Sequence, residues 1–498
     1  MTGSLKQQVA QNTAIQIGGK LAGTILSLIS AGMIFRYLGD TRFGAYTTIL
    51  SLVQIFGTLM DLGLYVLLIK KLASPHEPET TIHALFTLRI VSAAIFLLCT
   101  PITAIILGAF SKLYTTEIIV GATIATLFAF GVSMNQLFSA VFQKFFVSYW
   151  IALGEIINKV ALLSGLVIVT ALNLGMLGIV GALSLSTMLS TIVLLVASRT
   201  YITMRFHWNT KIMRHLLLEA WPVAVSVALV LLYFRGDIIV LSLFEKSQQP
   251  IGIYGAPYKI LEVLITFPAM FTGLMLNPIT HQWQSGHVEN VKKLIRQATN
   301  AISMLALPIV AGLLAIPTPI MHFIAGRDFT QSGSILAILS IATGGIFFGT
   351  LFGYVVVALD RQRNMMWGYA CIAITALCFY FIFIPRFSIY GAAWVTVYSE
   401  ISVALIAFFL VRHVVSFSID YMTIVKIAAA SIVMGSIVSL LSSQIQKTVA
   451  TFVSQTTLQD GASVALLTLI GACVYGALIV LFRATSISEI KSLIKRGE

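Results

Sequence analysis

The chain has 498 residues, of which 58% are hydrophobic and only 10% charged, against roughly a quarter charged in an ordinary soluble domain. Its mean hydropathy of +0.95 is too high for a water-covered fold and suits a bilayer. The formal net charge of +13 does not point to nucleic acid, because the basic residues stand singly or in twos and threes between apolar runs rather than on one polar face.

The first twelve residues are polar, with a single Lys6. The apolar run behind them, 13–35, is longer than a signal-peptide core, so it reads as a first crossing and not as a cleaved leader. A spanning helix needs roughly 20 mostly apolar residues. Further runs follow at 44–69, 82–110, 118–142, 147–171, 174–197, 216–244, 251–276, 298–323, 333–358, 366–384, 390–411, 424–442 and 462–482, fourteen in all. The expected fold is therefore an all-α integral membrane protein. Pro101, Pro268, Pro308, Pro317 and Pro319 lie inside these runs, where each removes a backbone donor and can kink its helix. The segment 287–296 looks like a short surface helix with a basic face, or else a solvated connector. Cys99, Cys371, Cys378 and Cys473 lie in apolar runs without a C-x-x-C pair, so neither a metal site nor a disulfide framework is expected.

Orientation follows from the connecting segments. With the N-terminus inside, the inner segments hold 18 Lys and Arg and the outer segments 7. Such a bias places both termini in the cytoplasm. The chain also repeats itself. Gly44-Ala45-Tyr46 opens the second run and Gly252-Ile253-Tyr254 the eighth, 208 residues on. Gly181 and Gly391 lie in similar surroundings 210 apart. Six crossings separate the copies, so they share orientation, and two six-helix lobes related by an axis along the membrane normal are expected. The division is a first lobe at 1–200, a cytoplasmic linker at 201–215, a second lobe at 216–412, and two further helices with a cytoplasmic tail at 413–498.

The segment Arg36-Tyr37-Leu38-Gly39-Asp40-Thr41-Arg42-Phe43-Gly44-Ala45-Tyr46 resembles the R-x-L-G-x-x-x-F-G-x-Y junction of bacterial polysaccharide flippases. Asp61-Leu62-Gly63-Leu64 resembles the family's next segment, and Arg235-Gly236-Asp237 followed by Gly252-Ile253-Tyr254 resembles the start of its second lobe. These flippases belong to the multidrug/oligosaccharidyl-lipid/polysaccharide exporter superfamily. The resemblance implies transfer of a polyprenyl-diphosphate-linked oligosaccharide from the inner to the outer leaflet of the cytoplasmic (inner) membrane. It implies membrane lipid as a partner and a polysaccharide polymerase and glycosyltransferases in the same pathway. No cofactor and no enzyme activity are implied.

Charges at membrane depth cost about 2.5 to 3.5 kcal/mol each on the insertion scale, so they mark candidate sites. At about 1.5 Å per residue, Lys20, Asp61 and Arg89 fall roughly 10–13 Å from the cytoplasmic ends of their runs. Arg235 and Lys259 share a depth nearer the outer face. Lys20, Arg89, Arg235 and Lys259 are candidate substrate-binding cations, suited to a diphosphate and acidic sugars. The other reading is that these charges pair and only fix helix packing; Glu155–Lys159 and Lys259–Glu262 have the spacing to do so. Asp61 and Glu400 are candidates for ion or proton coupling. Rival substrates are a lipid-linked peptidoglycan precursor and, for an exporter of the same superfamily, a drug. A membrane glycosyltransferase or polymerase is the rival of another class, disfavoured by short outer segments with scattered acids. No G-x-x-x-x-G-K-[S/T] phosphate loop is present.

Overall fold

The computed structural model describes residues 2–61, 63–73, 78–145, 147–203, 205–453 and 455–482; within these, the side chains of residues 2–17, 20, 21, 66, 70, 73, 222 and 226 lie outside the described set. In hydrocarbon each backbone N–H and C=O must be paired within its own segment, which a helix achieves. The described residues accordingly form helices and no strand. In chain order these are α1 (Thr2–Leu59), α2 (Leu64–Ala73), α3 (Glu79–Phe110), α4 (Thr116–Lys144), α5 (Tyr149–Ala171), α6 (Gly175–Ser198), α7 (Thr210–Phe244), α8 (Gln249–Gln284), α9 (Val288–Ala315), α10 (Pro317–Ala325), α11 (Ser332–Ala358), α12 (Gln362–Val415), α13 (Tyr421–Phe452) and α14 (Thr456–Leu481).

Among the described residues, twelve helices are long and apolar enough to cross a membrane. Two of the twelve contain a backbone break: α1 at Gly39 (φ 65, ψ −179) and α12 at Ser388 (φ 52, ψ −134). Divided there, the twelve account for all fourteen predicted runs. Gly39 sits where a Cβ would be strained. Ser388 adopts a positive φ without being glycine, and its hydroxyl donates to the Glu245 carboxylate, which helps hold that backbone.

Further breaks refine the predicted runs. The second run parts between Leu59, where α1 ends, and Leu64, where α2 begins, and Gly63 there has φ 72. The ninth parts at Ile316, and Pro317 opens α10, a position where its missing N–H costs nothing. The segment 287–296 is not a separate surface helix: all but its first residue form the opening turns of α9, anchored by buried Val291 and Ile295. Helix α13 runs ten residues beyond the predicted 442, through polar sequence that includes a Gln446–Ser442 side-chain hydrogen bond of 3.0 Å.

The chain divides into two compact units, Met1–Gly255 with Leu377–Ser388, and Ala256–Ala376 with Ile389–Glu498. In the first, α2, α3, α4, α6 and α7 enclose a core of Leu64, Leu68, Leu85, Leu88, Leu137, Phe138, Phe142, Leu194 and Leu216. Small residues let helices approach: Ser190 donates to the Gly154 carbonyl at 2.9 Å, and Ser184 to that of Ile124 at 3.0 Å. In the second unit, Met434 and Val438 of α13 pack on Leu467 of α14 and on Ile316. Large apolar side chains such as Leu98, Ile105 and Phe110 remain exposed, which suits contact with lipid tails.

Candidate functional site

Two sequence-predicted residues of different expected roles meet. Asp61 and Arg89 form an ion pair inside the first unit. The Arg89 side chain is buried and also donates to the Ser133 carbonyl at 3.1 Å and to Gln136 Oε1 at 2.9 Å. Asp61 lies in the α1–α2 break and accepts from the Tyr65 N–H at 3.2 Å, so it caps α2 while holding the guanidinium. Ser92, one turn from Arg89, donates to the Met60 carbonyl at 2.8 Å. The carbonyl and carboxylate at the break are therefore served by α3. The motif Asp61-Leu62-Gly63-Leu64 has a local reason in its described members: an acid to cap, and a glycine for φ 72.

Arg235 is buried in the same unit, its guanidinium 5.3 Å from the Phe234 ring centre. Nearby in sequence, fully buried Asp237 accepts from the Tyr254 hydroxyl at 2.6 Å and from the Ile238 N–H at 2.7 Å. Lys259 belongs to the second unit and pairs with Glu262 at 2.9 Å; both are about 70% buried, at 28% and 29% exposure. Glu400, in the second unit, is also buried, and its backbone lies against Gly345 of α11. The side chain of Lys20 lies outside the described residues. Among the described residues, no cluster of His, Cys, Asp and Glu has the makings of a metal site.

The sequence repeat has a structural counterpart within the first unit. A Cβ added to Gly44 would lie 1.8 Å from the Gln248 carbonyl oxygen, and one added to Gly252 would lie 1.9 Å from that of Asp40. Each would also stand 2.9 Å from the other glycine's nitrogen. Asp40 and Gln248 are separated by the same 208 residues as Gly44 and Gly252. The contact is thus reciprocal, as at a twofold axis, with each glycine Cα pressed on the partner's carbonyl. Thr47 continues it, approaching Gly255 at 2.6 Å from an added Cβ, again 208 residues on. Side chains close the surroundings. Thr48 donates to Gln248 Oε1 at 3.1 Å, Gln248 donates to the Leu113 carbonyl at 3.1 Å, and Gln249 donates to Asp40 at 2.6 Å. Tyr114 and Ser242 share a hydrogen bond of 2.8 Å beside them, and burial pushes the Tyr114 hydroxyl up to about 12, which keeps it protonated. Gln248 was not singled out from the sequence. The equal offset was the available signal, but it does not say that the copies touch.

A family model described as a polysaccharide biosynthesis protein matches residues 9–284. No curated protein matches the chain. Among solved structures, the fold is similar to the lipid II flippase MurJ in an inward closed conformation, at 15% identity, 94% of this chain, 98% of that one and a TM-score of 0.74. It is also similar to a multidrug resistance MATE family transporter of the MOP superfamily in an inward-facing conformation, at 14% identity, 80% and 98% coverage and a TM-score of 0.63. A MOP superfamily transporter from Pyrococcus furiosus, described as having a binding pocket of reverse polarity, matches at 15% identity, 82% and 95% coverage and a TM-score of 0.55. At these identities the likeness shows a shared fold, that of multi-span membrane transporters.

Proposed function

The chain belongs to the polysaccharide biosynthesis protein family, and we propose that it is an alternating-access flippase that carries a polyprenyl-diphosphate-linked oligosaccharide from the cytoplasmic to the outer leaflet. The family match over residues 9–284 carries this reading. A second reading, a lipid-linked peptidoglycan precursor as cargo, is favoured by the similarity to the lipid II flippase over 98% of that chain. Under either, the protein acts as a transporter with two six-helix lobes at 1–200 and 216–412, both termini in the cytoplasm, and no chemistry of its own.

The mechanism follows from the cost of charge in a membrane. A diphosphate crossing hydrocarbon needs cations that are already there. Lys20, Arg89, Arg235 and Lys259 supply them in this proposal. Arg89 reaches a phosphate only when Asp61 lets go, so Asp61 serves as the resting counter-anion and its protonation favours release. Glu400 is the corresponding acid in the second unit. The reciprocal Gly44–Gly252 contact acts as the outer seal, because two helices meeting backbone to backbone leave no room for a sugar between them.

The test is transfer across proteoliposomes of two fluorescent lipids, one carrying an oligosaccharide repeat unit and one the peptidoglycan precursor. Protein-dependent movement of the first, lost in Arg235→Gln and retained in Arg235→Lys at equal protein abundance, is the expected result. Movement of the second lipid alone replaces the first reading by the second. Movement of neither, with purified and folded protein, removes both.

A further inference from the structure

The segment joining α6 to α7 is non-helical at residues 202–203 and 205–209. It is tied down by its backbone. The Arg205 N–H reaches His83 Nδ1 at 3.4 Å, and the His207 N–H donates to Thr87 Oγ1 at 2.8 Å, both on α3. Asn209 then caps α7, accepting from the Lys211 and Ile212 N–H groups at 3.1 and 3.2 Å. Alternate N–H groups facing α3 leave alternate side chains together on the same strip of chain. Phe206 and Trp208 are such a pair, stacked at 6.2 Å and still 64% and 58% exposed. Arg199, Arg205, Lys211 and Arg214 around them are exposed. No acid occurs in the sequence between Glu155 and Glu219.

A tethered strap between two consecutive membrane crossings lies at the bilayer surface, where a ring pair and cations have one natural occupant. We propose that residues 205–214 form an interfacial site for anionic phospholipid head groups. Phe206 and Trp208 enter the head-group layer, where amphipathic rings are favoured. Arg205, Lys211 and Arg214 take the lipid's negative charge. Because His83 and Thr87 side chains of α3 hold main-chain N–H groups of the strap, less ordering entropy is lost when lipid binds. The site is independent of the cargo, and its occupant is a bulk lipid of the membrane.

The full-length protein is placed in vesicles of phosphatidylcholine with brominated phosphatidylglycerol, and separately with brominated phosphatidylcholine. The Trp208 contribution is the difference between wild type and Trp208→Phe, since the chain has six tryptophans. Trp208 is expected to be quenched by both lipids and more strongly by the anionic one. Native mass spectrometry of the detergent-solubilised protein should show that Arg205→Gln/Lys211→Gln/Arg214→Gln weakens phosphatidylglycerol binding on the order of 100-fold, with phosphatidylcholine unaffected. Equal quenching by the two lipids, or undiminished phosphatidylglycerol binding in the triple variant, overturns the anionic assignment. Trp208 reached by aqueous acrylamide and by neither lipid places the strap in water and ends the proposal. Shielding from lipid and acrylamide alike means that protein covers the strap, and ends it too.

Discussion

Replacing Gly252 by alanine tests the reciprocal contact directly. In an ordinary helix the change is favourable by up to about 1 kcal/mol, so the variant should fold. That gain is the same whether the two helices touch or part, and it drops out of the balance between those states. The clash does not. The added carbon would sit 1.9 Å from the Asp40 carbonyl oxygen, and ordinary contact begins at 3.4 Å, so the backbones must separate by about 1.5 Å. A backbone oxygen has no rotamer with which to yield, and overpacking of this kind costs about 2–3 kcal/mol, or a roughly 30- to 150-fold shift away from the closed contact. The readout is labelling of a Thr48→Cys reporter, in a background without native cysteines, by a membrane-impermeant maleimide added from outside. Thr48 is fully buried against Gln248 in the closed form. Gly44→Ala should accelerate labelling by a similar factor, since its clash is the mirror of the first. The double variant should add little, because one separation relieves both clashes and the two sites are coupled. Wild-type labelling in both single variants, or single effects that simply multiply, would refute the reciprocal geometry as a closing contact.

Other outcomes follow from the same structure. Asp61→Asn strands a buried guanidinium and should lower stability by about 3–5 kcal/mol, read as thermal melting in detergent; Asp61→Asn with Arg89→Gln should recover much of it, and additive losses would count against the pair. The Asp420 carboxyl caps α13 and is held below the usual carboxylate range by the Thr423 hydroxyl and then by the Thr423 N–H. Its contribution is therefore present above the unfolded-state carboxylate pKa and is lost as pH falls through the lower folded-state value. Asp420→Ala should cost about 0.5–2 kcal/mol at pH 7 and progressively less in acid; a pH-independent difference would contradict this. For topology, a cysteine at His207 should escape an external thiol reagent and one at Ser247 should react, and the reverse pattern would invert the proposed orientation.

The helices were legible because hydrocarbon demands long apolar runs, and composition alone reveals them. The gaps between runs at 36–43 and 385–389 were legible too, but the backbone geometry within them was not. At Gly39 the resemblance motif marked the junction, yet nothing in hydropathy says that the backbone turns through a positive φ there. Ser388 carries no turn signature and depends on Glu245, 143 residues away. The α9–α10 break at Pro317 was visible only as one proline among several. Asp61 and Arg89 were each found from the cost of charge at depth. Their pairing was hidden because they lie on different helices, and the helix faces that meet are decided by packing of residues such as Leu64, Leu85 and Leu137. Lys259–Glu262 was legible for the opposite reason: three residues along one helix fix the geometry locally.

The glycine contact has the symmetry of a dimer's. Equivalent residues touching across a twofold axis are what a homodimer makes at its centre. A six-helix ancestor paired with itself in parallel would have placed this one glycine opposite its own copy, and one substitution would have struck both sides of the joint at once. A single chain is free of that constraint. The backbone is symmetric at Gly44 and Gly252, but the side chains differ: Asp40 takes Gln249, whereas Gln248, 208 residues on from Asp40, holds Thr48 and Leu113 instead. One side of the joint now carries an acid and the other an amide, so a change in charge can act on one half of a joint that a true dimer must open from both.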